Sequence, residues 1–210
     1  MPLDLEEQEQ VAELKAWWRQ HGNLIVATIL AAAVAFAGWQ GWRWYNASQA
    51  GQAAAVFDSL VKGAQGGDAK VVRDSAGTLI ESYPRTMYAT MGALVSARFH
   101  FDRNDLKSAK AQLEWVVQSA PSEDFRDIAR LRLAAILLDE KAYDEALKVL
   151  EAKHSPAYES QFAALRGDIL VAKNQPADAR AAYQLALEKA GKEQGAFRES
   201  VRMRLEALGG

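Results

Sequence analysis

Three histidines and a few paired carboxylates are the side chains of this 210-residue chain with which metal or acid–base chemistry could be built, because it has no cysteine. Without cysteine there is no disulfide, no thiolate nucleophile and no thiolate-bound zinc. His21, His100 and His154 are scattered, with no His-x3-His pair and no acidic cluster at ligand spacing, so surface or packing roles are expected. Gly63-Ala-Gln-Gly66-Gly67-Asp68 is glycine-rich, but no strand precedes it and no Lys-Ser/Thr follows, so it reads as a loop and not a phosphate cradle. Asp139-Glu140 and Asp144-Glu145 flank a turn, where carboxylates are solvated. Asn46-Ala47-Ser48 has the form of a glycosylation site but abuts a long apolar stretch, which makes it coincidental. The net charge of −2 supplies no basic field for phosphates, so nucleic acid is not an expected partner. No catalytic residue, metal, cofactor or small-molecule substrate is expected. What remains is recognition between surfaces.

The first element that could position such a surface is apolar. From Gln20 to Trp42 there is no Asp, Glu, Lys or Arg, and Thr28 is the only hydroxyl between Leu24 and Trp39. As a helix this segment spans about 34 Å, against about 30 Å for a bilayer core. Trp17 and Trp18 stand at one end and Trp39, Trp42, Trp44 and Tyr45 at the other, matching the two interfacial belts of a membrane span. Its apolar contacts would come from Leu24, Ile25, Val26, Ile29, Leu30, Val34, Phe36, Trp39 and Trp42. Ala35-Phe36-Ala37 has the small-x-small form of a cleavage site. The long acidic region before it (Asp4, Glu6, Glu7, Glu9, Glu13) and the apolar run on to Trp44 favour an uncleaved anchor. Lys15 and Arg19 against Arg43 give a weak bias to a cytoplasmic N-terminus.

Past Tyr45 acidic and basic residues balance, strand patterns are nearly absent, and helix formers dominate. Two small residues recur twelve apart at Ala97/Ala109, Ala134/Ala146 and Gly167/Ala179, a period of roughly 33–37 residues. One small residue on each of two antiparallel helices lets them approach closely. Asn104-Asp105 and Asn174-Gln175-Pro176 supply turns, Ser155-Pro156 a helix start, and Pro84 and Pro121 hand one pair to the next. Leu165-Arg-Gly-Asp-Ile-Leu with Ala179-Arg-Ala-Ala-Tyr183, and Ala142-Tyr-Asp-Glu-Ala-Leu-Lys-Val-Leu150, resemble tetratricopeptide repeats. Three repeats are expected near 90–121, 127–155 and 160–190, a degenerate helix pair at 47–83, and a final helix near 194–208. Arg130 departs from the pattern by standing at a normally large apolar position. The fold class is therefore all-α: one transmembrane helix, then a tetratricopeptide-repeat-like α-solenoid.

In such arrays the first helix of each pair lines a concave face. Spacing places Met91, Leu94, Arg98 and Phe101 there, then Ile128, Leu131, Ala135 and Leu138, then Gln161, Ala164, Asp168 and Val171. Met91, Leu94, Phe101, Ile128, Leu131 and Leu138 are the expected partner-binding residues of a mostly apolar groove. The Lys/Asn/Arg set that clamps the C-terminal tails of chaperones is absent.

The whole plan resembles the YfgM-type ancillary subunits of the SecYEG translocon in Gram-negative bacteria. The resemblance rests on the acidic tail, on the anchor ending Gly38-Trp39-Gln-Gly-Trp42-Arg43-Trp44-Tyr45-Asn46, and on Leu165-Arg-Gly167-Asp168. It implies a cytoplasmic tail at 1–19, an inner-membrane helix at 20–45 and a periplasmic domain at 46–210. The implied partners are the SecYEG translocon and a membrane-anchored periplasmic chaperone of the PpiD type, with no catalytic residues to carry over. An envelope or division scaffold, or a stress-response regulator acting through its tail, are the other readings of the same plan.

Overall fold

The computed structural model describes residues 5–191 and 194–209, with side chains from Gln10 onward, so the Asp4, Glu6, Glu7 and Glu9 carboxylates of the acidic tail and Gly210 lie outside them. The chain divides into two units, Met1–Gln49 and Ala50–Gly210.

The first unit is helical. Leu24, Val26, Ile29, Leu30, Val34, Phe36, Trp39 and Trp42 are all exposed, and Ile25 is half-buried. Apolar side chains left exposed on every side of a helix belong in lipid. Among the described residues this is the one helix long and apolar enough to cross a membrane. The Thr28 hydroxyl donates to the Leu24 carbonyl at 2.8 Å, so even that polar atom is satisfied within the helix. Arg43 lies 4.9 Å from the Trp39 ring centre, at the end where interfacial residues were expected.

Helix α1 runs without interruption from Leu5 to Gly66. The first helix of the pair expected at 47–83 is the end of this helix, and Asn46-Ala47-Ser48 lies within it.

The second unit is a series of helix pairs. The end of α1 pairs with α2 (Ala69–Ser82), α3 (Met87–Phe101) with α4 (Leu106–Ser119), α5 (Glu123–Asp139) with α6 (Tyr143–Leu150), and α7 (Glu159–Ala172) with α8 (Pro176–Lys189). Helix α9 (Gly195–Ala207) follows. Ser155 caps a helical turn with Pro156 at its start, as expected, although that turn, Pro156–Tyr158, is 3₁₀ and precedes α7.

All four pairs close with the same turn. Gly67, Asn104, Lys141 and Asn174 have φ of 78°, 59°, 61° and 59°. The next amide in each case reaches back to the first helix: Asp68 to the Gly63 carbonyl, Asp105 to His100, Ala142 to Leu137 and Gln175 to Leu170, at 2.8–2.9 Å. This is the Schellman arrangement, which satisfies carbonyls that the helix end would orphan. Asp68 and Asp105 then cap the second helix, accepting from Val71 and Ser108 amides at 3.1 Å.

The small-residue pairs meet in the interior. Ala97 and Ala134 are 3% and 0% exposed, and Ala109, Ala146 and Ala179 are fully buried. Gly167 lies against the face of Tyr183, where a Cβ would collide with the ring. Leu60 and Val72 fill the corresponding places of the first pair. The large apolar residues of α3 to α7, among them Leu113, Val116, Leu133, Ile136 and Leu150, join Ala97, Ala109, Ala134 and Ala146 in one core, while Ala179 belongs to a second with Ala163, Tyr183 and Val201.

Candidate functional site

The first helices of the first three pairs form a concave surface. Phe57 and Val61 of α1, Met91, Leu94 and Val95 of α3, and Phe125 and Ile128 of α5 line a concavity of about 740 Å³. A smaller cavity of about 210 Å³ adjoins it, walled by Ala97, Phe101, Ala135 and Ile136, with Leu113 of α4 also in its lining. Arg98 and Arg132 line both.

Of the residues expected to bind a partner, Met91, Leu94 and Ile128 come together in the larger concavity and Phe101 stands in the smaller one. Leu131 and Leu138 are not in either. They pack against the core on another side of α5. The concave residues of α5 are Phe125, Ile128, Arg132 and Ala135, of which Ile128 and Ala135 belong to the expected set. Leu94 is 9% exposed, so it is as much a core residue as a surface one, whereas Phe101 is 39% exposed. The third-repeat set disperses: Ala164 is buried, Asp168 bonds to Tyr183 and Arg204, Gln161 is half-buried, and Val171 is exposed.

Charge is unevenly placed on this face. Arg98 Nε donates to Asp102 at 2.8 Å. Arg103 lies 3.6 Å above the Phe99 ring centre and donates to the Gly67 carbonyl at 3.3 Å. Asp102 is the one carboxylate among the residues lining the two concavities. Composition could not have found Arg132, because an arginine on a helix reads by default as a solvated residue.

The histidines are held in local contacts. His100 Nδ1 is 3.0 Å from Asp105, and together with Ser108, whose hydrogen bonds act most strongly, it keeps that carboxyl below its usual range. His154 stacks on Phe162 at 4.0 Å and sits 3.0 Å from Glu159. His21 stacks on Trp17. Arg130, the departure from the repeat pattern, donates to Glu123, to the fully buried Asp127 and to the Lys153 carbonyl. Asp127 in turn accepts from the Ser155 amide at 2.9 Å. The cluster therefore ties α5 to the link that follows α6.

A family described as a tetratricopeptide repeat-like domain matches residues 15–210. The chain belongs to that family. It is also similar over nearly its whole length to curated proteins named ancillary SecYEG translocon subunit. The protein of Neisseria gonorrhoeae is 29% identical across 99% of this chain and 100% of its own. That of Haemophilus influenzae is 27% identical across 89% and 91%, and that of Escherichia coli 24% across 87% and 87%. No solved structure matches. The family match begins at Lys15, so it takes in the apolar helix together with the repeats.

Proposed function

We propose that this protein is a non-enzymatic, membrane-anchored subunit associated with the Sec translocon. The observation that carries the reading is collinearity: the chain aligns over 99% of its length with the ancillary translocon subunit of Neisseria gonorrhoeae, and over most of its length with the others. Repeats alone would support any adaptor, but repeats joined to this anchor narrow the choice. In this reading α1 spans the inner membrane with its N-terminus cytoplasmic, and the repeat unit works in the periplasm. There it also engages a PpiD-type chaperone and assists secreted and envelope proteins. Met91, Leu94, Phe101 and Ile128 belong to its partner-binding face.

The test is purification of the tagged full chain from gently solubilised membranes of its own host, with translocon subunits and the chaperone quantified against an unrelated single-span protein. Strong enrichment of the translocon core is expected, and a periplasm-dependent reporter fused to the C-terminus is expected to be active. Recovery of division or cell-wall proteins without the translocon would overturn the reading.

A further inference from the structure

We propose that the concave face of residues 50–210 takes a partner segment in which one large apolar side chain is flanked by side-chain carboxylates. The proposal rests on the adaptor reading above and names the chemistry of what is held. The smaller cavity, about 210 Å³, is of a size for one leucine or phenylalanine side chain and too small for a lipid acyl chain. It exists because Ala97 and Ala135 leave room between α3 and α5, and its lining is mainly carbon. A side chain entering it meets Arg98 on α3 and Arg132 on α5.

The charge count gives the occupant its sign. Three arginines (Arg98, Arg103 and Arg132) line the two concavities against the single carboxylate of Asp102, already engaged by Arg98 at 2.8 Å. Arg103 is held over Phe99. Arg132 is exposed and has no acidic partner among the described residues, so its guanidinium is available for a carboxylate from outside. Guanidinium–carboxylate pairs at the edge of an apolar site choose the partner and its orientation, while the buried side chain supplies most of the affinity. Arg98 on α3 is paired with Asp102, and Arg132 stands on the other wall of the cavity, on α5. That arrangement suits carboxylates on either side of an inserted side chain better than a single terminal carboxylate.

The experiment uses the full chain in detergent and fluorescein-labelled peptides blocked at both ends. One carries a central phenylalanine flanked by glutamates, the second has those glutamates replaced by glutamine, and the third has the phenylalanine replaced by alanine. Fluorescence anisotropy is expected to show the first binding at least tenfold more tightly than either other, about 1.4 kcal/mol. Arg132→Glu should abolish the preference for glutamate with an unchanged melt, since the side chain is exposed. Ala135→Phe, which fills the cavity, should remove binding of the first peptide. Equal binding of the glutamate and glutamine peptides, no binding of any peptide, or displacement by short-chain phosphatidylglycerol would each overturn the proposal. None of these outcomes bears on translocon recovery by the wild-type chain, so the two readings fail separately.

Discussion

At the residue scale, two contacts show how little of a side chain's role is carried by its type. Glu123 accepts from Arg126 at 2.5 Å and Arg130 at 2.7 Å, and these bonds, Arg126's foremost, hold its carboxyl at about 2 instead of 4.5. A carboxyl lowered by folding stabilises the fold fully above its unfolded value and loses that contribution as the pH falls through the folded one. Glu123→Gln should therefore lower the melting temperature at neutral pH, and the gap from wild type should close between about pH 4.5 and pH 2. A gap that stayed constant over that range would mean the pair contributes nothing. Gly167 makes the opposite point, because its role was readable from spacing alone. Helix propensity favours alanine over glycine by about 1 kcal/mol, so a tolerant site would gain from the change. Gly167→Ala should instead cost about 1–3 kcal/mol in denaturant unfolding, since the buried Tyr183 ring cannot yield without straining its 2.7 Å bond to Asp168. Gly77, with open space at its Cβ position, is the control and should gain stability on the same change. Arg130 was visible only as an oddity. Its partners Glu123 and Asp127 are near in sequence, but the Lys153 carbonyl comes from the link after α6, 23 residues on.

At the scale of elements, the repeat is clearest in its turns. Asn104 and Asn174 announce left-handed positions, as asparagine and glycine do. Lys141 holds the same conformation at the matching place, and nothing in its chemistry signals it. Left-handed backbone costs an ordinary residue roughly 1 kcal/mol. Lys141→Gly should therefore raise the stability of the chain by up to about 1 kcal/mol, whereas the same change at an ordinary helical position lowers it. A loss of stability on this substitution would show that the lysine side chain makes a contact that offsets its backbone cost. The first pair was read as degenerate for a related reason. Leu60 and Val72 replace the usual small residues, so the ruler of alanines is silent there, although the backbone closes with the same hydrogen bonds. On α5 the two faces are hard to tell apart by residue type. From Leu131 to Leu138 Arg132 is the single polar residue, so apolarity could not separate the concave face from the core there. Arg132 marks that face more clearly than the leucines do.

At the scale of the whole molecule, an open-ended stack of helices needs an end. Each repeat buries its apolar side against the next, so the last would present a bare face to water. Helix α9 covers it, with Val201 fully buried and Phe197, Leu205 and Leu208 packed against Ala163, Ala164, Tyr183 and Ala186. Three arginines secure the cap. Arg198 donates to the Leu187 and Ala190 carbonyls at 2.7 and 2.9 Å, at the end of α8 where helical partners run out. Arg180 reaches the Leu208 carbonyl at 2.6 Å, and Arg204 pairs with Asp168 at 2.8 Å. Ending the chain after Gly191 should therefore do more than remove a helix. It uncovers the apolar face of α7 and α8 and leaves Asp168 with Tyr183 as its remaining partner. The expected result is a lower, broader melt and concentration-dependent association of the detergent-solubilised protein, seen by light scattering. A partial rescue by Ala163→Glu, which makes the uncovered face polar, would locate the association at that face. A truncated protein that stayed monodisperse and melted as the full chain does would mean that the stack is held from its other helices alone.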